Sequence, residues 1–209
     1  MKQRTKQHLE SFLGRYPALV YLAGEIEKTV AMLCEAQAAG GTILVCGNGG
    51  SAADAEHMAG ELLKGFVLKR PIDDKLSDLI GDKHLAQNLQ SGIRCIPLTS
   101  FPAFASAFAN DCAPEVNFAQ LVNTLGKSGD VLVAFSTSGN SQNVLYAATV
   151  ARALGVRVVG LTGKNGGKLR GLCDVLLNAP SDVVYEVQEY HLPLYHVICL
   201  MVESELFEV

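Results

Sequence analysis

One pattern limits the architecture of this chain more than any other. A short apolar run rich in β-branched residues breaks through glycine or serine into a helix-forming segment, and it does so twice. The first copy is residues 42–46, then Gly47-Asn48-Gly49-Gly50-Ser51, then an alanine-rich stretch to about residue 64. The second is residues 130–135, then Ser136-Thr137-Ser138-Gly139-Asn140-Ser141, then residues 142–154. Further strand patterns at 93–98, 156–161 and 175–177 are spaced by helical patterns at 101–110, 114–125 and 168–172. Strands alternating with helices predict a parallel sheet with right-handed crossovers and helices on both faces, a three-layer α/β (αβα) fold. Ligands of such sheets sit at the strand C-terminal ends, where both polar turns emerge.

The remaining stretches decorate that core. Residues 3–13 read as an amphipathic helix, and from Pro17 onward Leu22, Ile26, Val30, Leu33 and Ala36 recur at helical spacing until Gly40-Gly41 stops them. A long helix over 183–207 carries Pro193 in its interior, where the missing N–H predicts a kink or a division. Between residues 65 and 91 a charged run, Lys69 to Lys75, leads into a short helical pattern through Leu79, Leu85 and Leu89, an excursion from the core.

Composition narrows the function. The chain of 209 residues is sized for one domain; 49% apolar and 18% charged residues suit a well-filled core with further burial between subunits. A net charge of −4 gives no basic footprint for nucleic acid. No run approaches the roughly 20 apolar residues of a membrane span, and the N-terminus lacks a signal-peptide core, so a cytoplasmic protein is expected. The six cysteines include no C-x-x-C pair, which favours reduced, mostly buried thiols.

Both polar turns are suited to an oxyanion or a polyhydroxyl compound. Each feeds a helix N-terminus, where free backbone N–H groups and the helix dipole favour negative charge. A single N-cap needs one Ser, Thr or Asn, whereas five such residues occupy 136–141, so phosphate binding without a lysine is the favoured reading. The glycines at 47, 49 and 50 do not form the dinucleotide G-x-G-x-x-G pattern. His57 and Glu61 follow on one helix face; taken alone, such a pair reads as a surface pair. His196 in an apolar helix reads equally as a core histidine, and His191 reads as structural.

The ordered set is more specific than its parts. Cys46-Gly47-Asn48-Gly49-Gly50-Ser51 with His57-x-x-x-Glu61, Asn110-Asp111, Ser136 to Ser141, Leu161-Thr162-Gly163-Lys164-x-Gly166-Gly167, and Gln188-Glu189-x-His191 with His196 resembles the sugar isomerase (SIS) domain family, most closely its phosphoheptose isomerases. The resemblance covers nearly the whole chain as a single SIS domain, apart from 65–91, which it marks as an insertion. It implies an aldose–ketose isomerase of a sugar phosphate, assembled as a homotetramer with sites at subunit contacts and a zinc ion in or near each site.

Carried over position by position, the resemblance makes Glu61 and His196 the catalytic base and acid. His57, Glu61, Gln188 and His196 become metal positions. Asn48, Gly49, Gly50, Ser51, Glu61, Asn110, Asp111, Ser136, Thr137, Ser138, Ser141 and Gln188 become substrate contacts. Gln188 and His196 lie about 12 Å apart along a straight helix, so one metal holds both only if side chains converge, the helix bends or two subunits contribute. Gly65 stands where the family has an arginine, and Tyr185-Glu186 replaces its Asp-Arg pair, which leaves an isomerase of another phosphosugar open. A non-catalytic SIS protein that binds a phosphosugar or a protein partner is the remaining alternative.

Overall fold

The computed structural model describes residues 1–207. Five parallel strands form one sheet: β1 (Ile43–Cys46), β2 (Cys95–Pro97), β3 (Val131–Ser136), β4 (Arg157–Thr162) and β5 (Val175–Asn178), in the order β2-β1-β3-β4-β5. β1 aligns Ile43 with Cys95 on one side and with Val131 on the other. The chain thus moves outward from β1 to β2 and then crosses back to β3, and the direction of winding reverses beside β1. The polar turns after β1 and β3 are therefore neighbours, as expected at such a switch point.

The helices are α1 (Gln3–Arg15), α2 (Ala23–Ala38), α3 (Gly50–Leu63), α4 (Asp74–Ile80), α5 (Lys83–Asn88), α6 (Pro102–Asp111), α7 (Asn117–Leu125), α8 (Gln142–Ala153) and α9 (Val184–Phe207). Short 3-10 segments at Pro17–Leu22, Pro114–Val116 and Lys168–Leu172 join them. Successive strand residues point to opposite faces. Ile43, Val45, Val133, Phe135 and Leu161 face a core built with α1, α2, α3 and α9. Leu44, Cys46, Leu132, Ala134 and Val158 face a second core built with α7 and α8. Burial on both faces explains why the strands read as continuous apolar runs instead of alternating ones.

Most expected elements are present within two residues of their predicted ends. The C-terminal helix runs unbroken from Val184 to Phe207, so Pro193 does not divide it. Buried residues lie on both sides of the proline, Val187 and His191 before and Leu194, Ile198 and Val202 after, and His191 meets Phe135 of the core that the last three join. The 65–91 stretch carries the expected short helices away from the core, and its leucines are exposed: Leu79 is 76% exposed, and Leu85 and Leu89 are exposed as well. The two short helices are set by local caps. Asp73 accepts from the Leu76 N–H and Asp82 from the Leu85 N–H, while Gly81 closes α4 in the left-handed conformation.

The base of that stretch is fastened from within. Arg70, in the charged run, is fully buried against Glu203 of α9. Its Nε donates to Glu203 Oε1 at 2.7 Å, and Nη1 donates to the Leu62 carbonyl. The Glu203 carboxylate also accepts from the backbone N–H groups of Phe66, Val67 and Leu68. Across the neck, Pro71 and Gln90 form an isolated antiparallel bridge, and the Ser91 N–H donates to the Arg70 carbonyl.

Candidate active site

The glycine turn is shaped by contacts that only glycine tolerates at two positions. A Cβ at Gly47 would lie 2.4 Å from the Ser51 carbonyl oxygen, and Gly49 has φ +56°. α3 therefore starts at Gly50, with Ser51 buried in its first turn and no side chain capping it. Within that turn the Ser51 N–H donates to the Asn48 carbonyl, and the Ala52 and Ala53 N–H groups donate to the Gly49 carbonyl. A Cβ at Gly50 would meet the Gln188 amide at 2.6 Å, so Gln188 of α9 lies flat against this turn.

The serine turn repeats the arrangement beside it. Ser141 occupies the N-cap position of α8 without making a side-chain cap bond. The Ser136 hydroxyl donates to Ser141 Oγ at 3.1 Å, and Ser138 Oγ accepts the Asn140 N–H. The excess of hydroxyls is thus not consumed in capping. Gly139 holds φ +63° within 2.0 Å, from its ideal Cβ position, of the Gly166 carbonyl oxygen, which fastens this turn to the 163–167 loop. Thr137 and Ser138 line a cavity of about 250 Å³ with Asn165 and Asp182. Asn48 and Asn143 exchange two side-chain amide hydrogen bonds of 2.9 Å, which ties the two turns together. Asn143 has no marker in the sequence beyond its place in the first turn of a helix.

A titratable cluster lies farther along α3. His57 Nε2 is 3.1 Å from Glu61 Oε1, and Lys64 Nζ is 3.0 Å from Glu61 Oε2. The His57 side chain is 45% exposed and that of Glu61 15%, so the pair faces open space. Burial raises the Glu61 carboxyl pKa, but Lys64 and His57 outweigh it and hold the group below its ordinary value. From α9, His196 meets the His57 ring edge-on with centroids 5.0 Å apart, and Phe66 packs on its other side. His196 Nε2 is buried without a hydrogen-bond partner. Burial, then the charge of His57, lowers the His196 pKa against the pull of Glu61. Glu61 is an ionised acceptor at neutral pH, and His196 beside it is a neutral imidazole.

Tyr195 belongs to the same cluster and was not singled out by the sequence. Its hydroxyl lies 2.8 Å from His57 Nδ1, and Asp54, one turn before His57, lies beside the same hydroxyl. Burial pushes the Asp54 carboxyl up to about 6, against the influence of His57 and Tyr195. His191 stands apart from these groups. It is fully buried, with Nε2 3.2 Å from the Thr162 carbonyl and burial lowering its pKa to about 4, so it is a structural histidine.

Not every expected contact joins the cluster. Asn110 and Asp111 lie at the exposed end of α6 and hydrogen-bond each other. The start of α6, through Phe104 and Ala105, shares a cavity of about 220 Å³ with Gly47, Asn48, Gly49 and Thr99. The buried Thr99 hydroxyl has no partner. As for a metal, His57, Glu61 and His196 offer nitrogen and oxygen donors of the kind zinc takes. Among the described residues no three His, Cys, Asp or Glu side chains converge closely enough to grip an ion, and Gln188 lies instead against Gly50. The donor set fits zinc in chemistry and neighbourhood, and the unpartnered His196 nitrogen is the atom that an ion would satisfy.

The fold and the motifs match known proteins. The SIS domain family profile matches residues 18–91 and 104–163. The phosphoheptose isomerase of Akkermansia muciniphila is 33% identical over 207 residues, covering 99% of each chain. That of Burkholderia pseudomallei is 41% identical over 181 residues, 86% of this chain and 82% of the relative. Among solved structures, phosphoheptose isomerase GmhA from Neisseria gonorrhoeae superposes with a TM-score of 0.75 at 31% identity, covering 97% of this chain and 98% of that one. The glycine turn, the serine turn and the α3–α9 cluster therefore sit in a chain that belongs to the SIS domain family and, within it, to the phosphoheptose isomerases.

Proposed function

We propose that this phosphosugar isomerase interconverts sedoheptulose 7-phosphate and D-glycero-D-manno-heptose 7-phosphate. The observation that carries the reading is the meeting of the His57–Glu61 pair with His196, on helices whose other ends reach the two oxyanion turns. Moving a carbonyl between C1 and C2 requires a proton to leave one carbon and return to its neighbour through an enediol, while another group manages the oxygen protons. Glu61, ionised and open to the site, takes and returns the carbon-bound proton. Neutral His196 gives and recovers the proton on oxygen. The Ser51 turn and the hydroxyls of Ser136, Thr137, Ser138 and Ser141 hold the phosphate, with Asn48, Gly49, Gly50, Asn110, Asp111 and Gln188 on the sugar.

A zinc ion would be held by His57, Glu61 and His196, with Gln188 the family's fourth position; bound there, it supplies a Lewis acid for the carbonyl oxygen. We further propose a single SIS domain over 1–209 with an insertion at 65–91, acting as a homotetramer in the cytoplasm. Supporting this, His57 is half exposed within one protomer, three cysteines are buried as free thiols, and among the described residues no helix is long and apolar enough to cross a membrane.

NMR of the purified protein with sedoheptulose 7-phosphate in D₂O, with and without Zn²⁺ and beside other ketose phosphates, tests the reaction. Aldoheptose product, or deuterium entering next to the carbonyl, is expected. Turnover of another ketose phosphate alone would overturn the heptose assignment, and silence across the panel would overturn catalysis.

A further inference from the structure

We propose that Tyr195, backed by Asp54, is a positioning residue that sets which ring nitrogen of His57 carries the proton. The proposal rests on the reading that His57 and Glu61 belong to the reacting site. Both nitrogens of His57 are engaged, Nδ1 by the Tyr195 hydroxyl at 2.8 Å and Nε2 by Glu61 Oε1 at 3.1 Å. An ionised carboxylate only accepts, so Nε2 must be the protonated nitrogen of the neutral ring, and Nδ1 then accepts from the Tyr195 O–H. In this state His57 shows Glu61 a donor.

The opposite state is also built. A cation taken up by Nε2 needs its lone pair, which moves the ring proton to Nδ1. Tyr195 must then accept from Nδ1, and its own O–H needs a new acceptor. Asp54 provides one, because its carboxylate lies beside the hydroxyl and its buried Oδ2 makes no hydrogen bond of ordinary geometry. The proton count is the same in both states, one on His57 and one on Tyr195; only the direction of the hydroxyl changes. The phenol ring itself is fixed, edge-on to Phe135, His57 and His196, with 1% of its surface exposed. A tyrosine that merely filled the core would need one hydrogen-bond partner at its buried hydroxyl, whereas Tyr195 has a histidine nitrogen and a carboxylate there.

Tyr195→Phe keeps the ring and removes the hydroxyl. Long-range ¹H–¹⁵N correlation on histidine-labelled protein reads the His57 tautomer, and competition with a chromophoric chelator reads the Zn²⁺ dissociation constant. The wild type should show the Nε2–H tautomer without metal and Nδ1–H with Zn²⁺. Tyr195→Phe should show mixed tautomers without metal and bind Zn²⁺ roughly 10- to 100-fold more weakly, the range for losing a partner of a metal-bound histidine. Asp54→Asn, which keeps an acceptor oxygen, should weaken zinc less. A Tyr195→Phe protein with the wild-type tautomer and zinc affinity would overturn the proposal. So would an Nδ1–H tautomer in the metal-free wild type, a result that does not depend on the variant folding. Absence of both zinc binding and phosphosugar turnover in the wild type would instead count against the reading of the site, while the metal-free tautomer comparison still decides on Tyr195.

Discussion

Replacing Glu203 with leucine should be the most costly change on the surface between the 65–91 stretch and α9. The carboxylate accepts from the N–H groups of Phe66, Val67 and Leu68 and from Arg70 Nε, with Arg70 Nη2 in ion contact at 2.7 Å. If water could not reach them, three unsatisfied backbone donors would cost about 1–3 kcal/mol each, although Val67 is 66% exposed, and a buried guanidinium without its partner costs about 3–5 kcal/mol. Their sum, roughly 6–14 kcal/mol, rivals the whole stability of an ordinary domain of about 5–15 kcal/mol. The protein has a cheaper response: residues 65–71 can peel away and let water solvate those groups, which caps the loss at about 3–5 kcal/mol. Arg70→Met should cost less, about 1–3 kcal/mol, because Glu203 keeps its three N–H partners. The double variant should recover part of the Glu203→Leu loss. Urea unfolding gives the free energies, and native-state hydrogen exchange at Phe66, Val67 and Leu68 reports the peeling. Because Phe66 packs on His196, turnover should fall as well. The reasoning is refuted if Glu203→Leu costs under about 1 kcal/mol with those amides still protected, or if Arg70→Met costs more.

Three further outcomes are expected. Glu61→Gln and His196→Ala should each lower kcat by about two to four orders of magnitude with circular dichroism unchanged, and full turnover in either variant would remove its assigned role. Ser136→Ala with Ser138→Ala should raise KM for the phosphosugar more than it lowers kcat; an unchanged KM would place the phosphate elsewhere. Burial lowers the His191 pKa from 6.5 to about 4, so the unfolded chain binds the extra proton between those values. The stabilisation is complete above pH 6.5 and fades as the pH falls toward 4, with about 2 kcal/mol lost by pH 5. Denaturation of wild type and His191→Gln at pH 8 and pH 5 should therefore differ in pH dependence by that amount, and parallel curves would contradict it.

What could be read from the sequence was local. Glycine and serine clusters next to apolar runs placed the strands and both turns, because backbone geometry at those points is set by neighbouring residues. Tyr195 was missed because a tyrosine in an apolar helix reads as core, and its hydroxyl partner lies 138 positions away. Arg70 read as part of a solvated charge run, yet its counter-charge arrives from α9, 133 positions later. The leucines at 79, 85 and 89 pointed to short helices outside the core, which are present; they form from capping aspartates and leave those leucines exposed. For Asn110 and Asp111 the motif gives chemistry, but the structure leaves them paired with each other at an exposed helix end.

The bridge between Pro71 and Gln90 has a consequence for how such a chain can change over generations. Two positions that form an antiparallel bridge stand about 5 Å apart, a gap that a tight turn of a few residues also closes. Everything from 72 to 89 is therefore carried on a closed neck, and its gain or loss in one genetic event leaves strands, turns and the Arg70 anchor in register. Exchange of that segment between relatives becomes a practical way to ask whether it influences which phosphosugar is accepted, since the catalytic framework is spared the experiment.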